Sequence, residues 1–408
     1  MLNRAVSRDL EIWVLVATLA LALVGVSMIY SATQSRAALL GGLYIRQMVW
    51  VALGLIALAV AAAVPYRYFE AFAYPLYAIS LILLIGVLFV PGSSRAHRWF
   101  RFGSILFQPS EFAKIATAFA LAKVLTTRKV PFRSLLDMAI PIGIVALPLG
   151  LVLIEPDLGT SLAFLVMLFA ILFWDGLSPL YLFFLVAPLL SVAFAVANSM
   201  VLWAGLAILL VFLFYYYRVP TRDIITVSTV TTMVGLLSSV VWGAMKEYQK
   251  KRLLVFLNPE HDPRGAGWHI LQSKVAIGSG GLLGKGFLQG TQKRLAFLPE
   301  QHTDFIFSTI GEELGFLRAA LLLVLFFILI YRGVVVAREA RNRFASLVAM
   351  GLVAVIGFHV FLNVGMTLGI LPVTGIPLPF LSYGGSPLLA MMLMVGVLVN
   401  IGLRRYEY

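Results

Sequence analysis

Apolar residues in this chain gather in long uncharged runs, where a water-soluble domain would show short stripes broken by charges. Ile12–Tyr30 and Leu76–Val90 carry no charged residue. A helix over the first run, at 1.5 Å per residue, matches the ~30 Å hydrocarbon core of a bilayer. Runs bounded by charges, Pro and Gly predict twelve spans, near 12–31, 47–64, 72–90, 112–125, 138–154, 158–174, 179–197, 200–217, 224–243, 304–331, 344–370 and 387–403. The expected fold class is all-α: a polytopic transmembrane bundle of about twelve spans, forming a single membrane domain over 1–408 with one long polar loop, 244–303. Arg4 and Arg8 before the first run imitate a signal peptide, but its length and the spans that follow make it a retained helix.

Composition sharpens that picture. Of 408 residues 61% are hydrophobic and 12% charged, with a mean hydropathy of +0.97, against roughly 45–50% apolar and 25% charged in soluble domains. A soluble enzyme is thereby excluded. The absence of cysteine rules out a disulfide framework and thiolate metal sites. An even number of spans puts both termini on one side. With the N-terminus inside, the inner segments hold fifteen Lys and Arg and the short outer loops five, so both termini are expected in the cytoplasm and 244–303 outside.

Candidate chemistry then concentrates on the outer face. Carboxylates there are few: Glu111, Glu155, Asp157, Glu247, Glu260, Asp262, Glu300 and Asp304. Among them stand Arg98, Lys114 and nine cations of the long loop, including Lys274. A basic, carboxylate-studded rim on an apolar body suits an anionic amphiphile such as a lipid diphosphate. Asn258-Pro-Glu-His-Asp262-Pro-Arg-Gly reads either as a turn that projects a carboxylate into a cleft or as a plain Asx-Pro turn. Gly278 to Gly290 fails both nucleotide-loop patterns, because Ser279 and Gly286 stand where a P-loop needs Gly and Ser or Thr, and no Gly-x-Gly-x-x-Gly register fits. Backbone packing, an amide nest for phosphate and plain loop flexibility remain as readings of it. Thr303 or Asp304, and Asp157, read also as helix caps, and Glu111 with Lys114 as an i, i+3 pair. His359 and Asn363 are expected to bridge helices.

Together His97-Arg-Trp-Phe, Phe107-Gln-Pro-Ser-Glu-Phe-Ala-Lys114, Glu155-Pro-Asp-Leu-Gly-Thr160, Asn258-Pro-Glu-His-Asp-Pro, Gly267-Trp-His-Ile-Leu-Gln-Ser-Lys274, Phe297-Leu-Pro-Glu-Gln-His-Thr-Asp-Phe-Ile-Phe307 and Pro377-Leu-Pro-Phe-Leu-Ser-Tyr-Gly-Gly-Ser386 resemble the SEDS family (shape, elongation, division and sporulation) of cell-wall synthases. Gly290-Thr-Gln292 and Gly365 to Pro372 look nearer its elongation branch than its division branch. The resemblance implies a peptidoglycan glycosyltransferase that polymerises lipid II for elongation and cell shape. It would sit in the bacterial cytoplasmic membrane, with a class B penicillin-binding protein as transpeptidase and a divalent cation, Mg or Mn, as cofactor. Its metal ligands stay unassigned. The resemblance makes Asp262 the essential acid, in agreement with the need for a base to deprotonate an attacking sugar hydroxyl. It further implies that Arg98, Trp99, Glu111, Lys114, Asp157, Lys274, Glu300, His302, Asp304 and Ser382 contact substrate. The family usually has ten spans, so the pair at 179–217 is expected to be an added peripheral hairpin. A lipid II flippase or transporter is the rival from another class; it predicts inverted repeats and a midplane site, whereas the polar clusters here lie at the outer boundary. A structural scaffold leaves those clusters unexplained.

Overall fold

In the computed structural model of the chain, the described residues are 2–34, 42–90, 98–103, 105–128, 135–196, 200–244, 266–291 and 301–405. Each of the twelve expected spans is a helix. In chain order the helices are α1 (Leu2–Thr33), α2 (Leu43–Ala63), the short α3 (Tyr66–Ala71), α4 (Ala73–Leu88), α5 (Pro109–Thr127), α6 (Ala139–Ile154), α7 (Leu158–Trp174), α8 (Pro179–Val196), α9 (Met200–Tyr217), α10 (Thr221–Ala244), α11 (Ala266–Gly280), α12 (Ile306–Glu339), α13 (Arg343–Thr367) and α14 (Gly385–Leu403). A two-residue-turn hairpin, β1 (Phe100–Phe102) and β2 (Ile105–Phe107), pairs Phe100 with Phe107 just before α5. The protein is a multi-pass membrane protein, and its large exposed side chains on α2, α4, α9 and α12 are the lipid-facing ones.

One main bundle surrounds α13, which packs on α12, α7, α5 and α14. The widest helix contact joins α14 to α2. It is close because Gly396 lets α14 approach so near that a Cβ there would lie 2.5 Å from the Leu58 carbonyl, the small-residue packing that membranes favour. The same contact also solves a polar problem. The last carbonyls of α2 have no intrahelical donors; Asn400 Nδ2 donates to Ala61 and Ala62 at 2.9 Å each, and Arg404 donates to Ala62 and Ala63 at 2.9 and 2.7 Å.

The pair at 179–217 does not stand alone as a hairpin. α8 packs far more on α10 than on its sequence neighbour α9, and the three helices share a small core of Phe184, Ala187, Leu206, Leu210, Phe214 and Val227. Among the described residues the group touches the main bundle through a small contact of α8 with α7.

The glycine-rich stretch has a structural answer. α12 is broken at Gly315, where φ is 75° and ψ −179°, a region open in practice only to glycine. The broken turn is closed by the chain after α11: Lys285 and Gly286 donate N–H to the Glu312 and Glu313 carbonyls, and Phe316 and Leu317 donate to Gly281 and Leu282, at 2.9–3.1 Å. Backbone packing therefore occupies the amides a phosphate nest would need. Replacing Gly315 by Ala would put a Cβ 2.1 Å from the Gly284 nitrogen. Strain and overlap together are expected to cost more than about 2 kcal/mol, read as a lowered thermal midpoint in detergent; an unchanged midpoint would refute the lock.

Candidate functional site

Three elements converge at one end of the helix bundle. The β1–β2 hairpin is preceded by Arg98 and Trp99, and Pro109 in the first turn of α5, with its fixed φ, starts that helix directly after it. The α6–α7 turn carries Glu155 and Asp157, and Asp157 Oδ1 caps α7 by accepting from Thr160 N at 3.2 Å. Arg98 joins the two elements. Its Nε donates to the Glu155 carbonyl at 2.9 Å, Nη2 donates to the Pro156 carbonyl, and Nη1 lies 3.5 Å from Asp157 Oδ2.

The third element is the strand-free run 375–384 between α13 and α14. Ser382 Oγ accepts from Leu378 N at 2.8 Å and donates to the Thr303 carbonyl at 2.7 Å, so the hydroxyl ties this run to the segment entering α12. Asn363 of α13 donates to the Asp304 and Ile376 carbonyls at 2.9 and 2.7 Å. Gln47 of α2 holds the far side, donating to the Ser382 carbonyl and accepting from Gly384 N.

These walls enclose a cleft of about 260 Å³ lined by Arg98, Trp99, Glu111, Asp157 and Asp304, with Trp50, Gln108, Thr160 and Tyr383 among its other walls. Five expected site residues thus meet in one cavity. Four others do not reach it. Lys114 is fully buried behind Glu111, with Nζ 2.9 Å from Glu111 Oε2 and 3.0 Å from His359 Nε2. Ser382 is spent on the two backbone bonds above. The His302 ring packs against Tyr383, with centroids 5.9 Å apart, while its carbonyl accepts from Tyr383 N. Lys274 is exposed on α11 and leans over Gly369. Asp262 and Glu300 lie outside the described residues.

Trp50, Gln47 and Tyr383 were not singled out from sequence. A glutamine three residues before a tryptophan inside the apolar run of α2 was the available signal for the first two, since an uncompensated amide is unfavourable in a membrane.

Polarity inside the cleft is mostly paired. Asp157 faces Arg98 and Glu111 faces Lys114, so these carboxylates already have counter-charges. Among the described residues no group of three or more His, Asp or Glu is placed to hold a metal ion. The cleft offers paired charges at its base, aromatic faces and backbone groups on its walls, a mixture suited to a sugar carrying an anionic leaving group.

The family model described as cell cycle protein (FtsW, RodA, SpoVE) matches residues 12–206 and 198–407. The chain is 39% identical over 368 residues to peptidoglycan glycosyltransferase MrdB of Escherichia coli, covering 89% of this chain and 86% of that protein. It is 34% identical to peptidoglycan glycosyltransferase RodA of Treponema pallidum, over 97% of this chain and 98% of that one. A solved peptidoglycan synthase complex, whose structure addresses coordination of polymerization and crosslinking, contains a chain that superimposes with a TM-score of 0.71 at 30% identity, covering 97% of this chain and 98% of that chain.

Glu155, at the turn under Arg98, is fully buried, and neither carboxyl oxygen has a hydrogen-bond partner among the described residues. Burial pushes its pKa from 4.5 up to about 8; the Asp157 charge adds to the rise and Arg98 opposes it. Between those two values the folded state holds a proton that the unfolded chain has lost, so stability falls as pH rises through that window. Glu155→Gln is therefore expected to be more stable than the parent at pH 8 by more than about 1 kcal/mol, with the gap closing toward pH 4.5. Thermal unfolding of both proteins across that range checks this; a gap independent of pH would mean that Glu155 is ionised in the fold.

Proposed function

The chain belongs to the cell cycle protein family of FtsW, RodA and SpoVE, and from that membership we propose that its outer cleft polymerises lipid II, with Asp262 as general base. The activity is peptidoglycan glycosyl transfer, in the service of cell-wall synthesis and cell shape. The observation that carries the assignment to this cleft is the meeting of Arg98, Asp157, Glu111 and Asp304 with Trp50, Trp99 and Tyr383 in one cavity. α11 begins four residues after Asp262 and is anchored to α12 and α13, where Ser273 Oγ lies 2.6 Å from Ser308 Oγ and from the Thr367 carbonyl.

In the proposed step the acceptor sugar hydroxyl attacks the anomeric carbon of a lipid-diphosphate-linked donor. The new C–O bond forms as the bond to the diphosphate oxygen breaks. The hydroxyl proton passes to the Asp262 carboxylate, and the diphosphate leaves with the electron pair. Arg98 contributes positive charge at the cleft without reorganising, because its guanidinium is already held by two backbone carbonyls and Asp157. A divalent cation belongs to this reading as a counter-ion carried by the diphosphate, since Mg binds through substrate phosphates and few carboxylates. A class B penicillin-binding protein is the proposed partner, in keeping with the synthase complex to which the chain is similar. The helices α8 to α10 contribute no residue to the cleft and are read as peripheral to the chemistry.

Two tests follow. Asp262→Asn keeps shape and hydrogen bonding but cannot take a proton. It is expected to lower polymer formation from labelled lipid II by about 10²–10⁴-fold, or roughly 3–5 kcal/mol of barrier, with folding intact. Near-parental rates would make Asp262 a turn former and move the base to Glu111 or Asp157. For orientation, both termini are proposed cytoplasmic. Gly290 is buried against Glu312 and Glu313 and is a poor labelling position, so the exposed Arg101 of the hairpin and Arg341 before α13 serve instead. Cysteine at 101 is expected to react with an impermeant reagent from outside and cysteine at 341 only after permeabilisation; the reverse pattern would overturn the orientation.

A further inference from the structure

Lys114 is among the largest fully buried side chains of the described residues, with 0% of its surface exposed. Two side-chain groups meet it: Glu111 Oε2 at 2.9 Å, one helical turn earlier on α5, and His359 Nε2 at 3.0 Å on α13. Glu111 lines the cleft, whereas Lys114 and His359 stand behind it. An isolated Glu–Lys pair in so dry a place can lower its desolvation cost by moving the proton from the ammonium to the carboxylate, leaving an uncharged acid and amine. A second acceptor on the ammonium opposes that transfer, because hydrogen bonding to the charged form favours it.

His359 supplies that acceptor. An ammonium only donates, so Nε2 must present its lone pair and the ring proton must sit on Nδ1. The buried groups thus form a line that ends at the cleft: His359, Lys114, Glu111.

We propose that His359 is a positioning residue for glycosyl transfer: by accepting from Lys114 it keeps the Glu111–Lys114 pair charge-separated, so that Glu111 meets the substrate as a carboxylate. A carboxylate accepts from sugar hydroxyl or acetamido N–H groups, whereas the protonated acid would turn one oxygen into a donor. The reaction it serves is the one proposed above, and the inference rests on that reading only for its consequence in turnover.

The test separates charge state from rate. In infrared difference spectra of the whole protein without substrate, taken against Glu111→Gln, the parent is expected to show a carboxylate band for Glu111 and His359→Leu a protonated carboxyl band. His359→Gln, whose amide oxygen can still accept, is expected to keep the carboxylate band. With labelled lipid II, His359→Leu is expected to lose about tenfold or more in kcat while KM changes less than about threefold, and His359→Gln to recover most of that loss. If His359→Leu leaves Lys114 buried without its second acceptor and unfolds, Lys114→Met with His359→Leu removes the charge, and the Gln rescue still decides the question. A carboxylate band retained in His359→Leu, or an intact kcat, overturns the proposal. Failure of the parent protein to polymerise lipid II would instead sink the functional reading and leave the infrared result to stand.

Discussion

A bilayer interior contains no water with which a polar group can settle, so every donor, acceptor and charge at that depth must find its partner within the protein. The architecture here follows from that constraint at three levels. The free carbonyls at the end of α2 are met by Asn400 and Arg404 of α14, which fixes the register of the widest helix contact in the bundle. The break in α12 at Gly315 is tolerated because the 281–286 backbone supplies the missing bonds. Charged side chains inside the bundle come in sets, as Glu111, Lys114 and His359 do.

The same constraint pre-organises the cleft. Arg98 could be a mobile surface cation, but two carbonyls of the α6–α7 turn and Asp157 hold its guanidinium. Ser382, Gln47 and Asn363 lock the 375–384 run to the entry of α12 and to α2 through backbone bonds. Charge that is already oriented stabilises a developing charge without the cost of reorganisation. In the proposed reaction a diphosphate leaving group would meet a rim already oriented toward it. Glu155 is a buried carboxyl without a hydrogen-bond partner among the described residues, and burial beside the Arg98–Asp157 salt bridge pushes its pKa up to about 8.

The outer loop is held with comparable rigidity on the side toward α12. Glu312 accepts from Lys285 Nζ and from the Thr291 amide and hydroxyl at 2.7–2.8 Å, and Glu313 accepts from Ser31 and the amides of Leu288 and Gly290. These contacts tie the loop to both α12 and α1. With α11 anchored as well, the described part of the long loop is held to the bundle by several contacts.

The twelve spans, their all-α class and the family were legible in the sequence, because an uncharged run of bilayer length has few alternatives and the motifs stand at recognisable spacings. Arg98, Glu111, Asp157 and Asp304 stood out in the sequence because ionisable residues are rare in such a chain and cluster at the boundary, and Trp99 through the family motif; the structure places all five around one cavity. Only the tertiary structure decided which polar side chains face the cleft and which serve the fold. Ser382 and Lys114 carry the right chemistry for substrate, yet one bridges two backbone segments and the other is buried behind Glu111. Likewise Gly278 to Gly290 left three readings open until the broken turn at Gly315 consumed its amides, and Trp50 lay hidden in an apolar run. Hydrophobic length is a local property of the chain, whereas a side chain's partners are set by helices hundreds of residues apart, and no spacing along one segment records them.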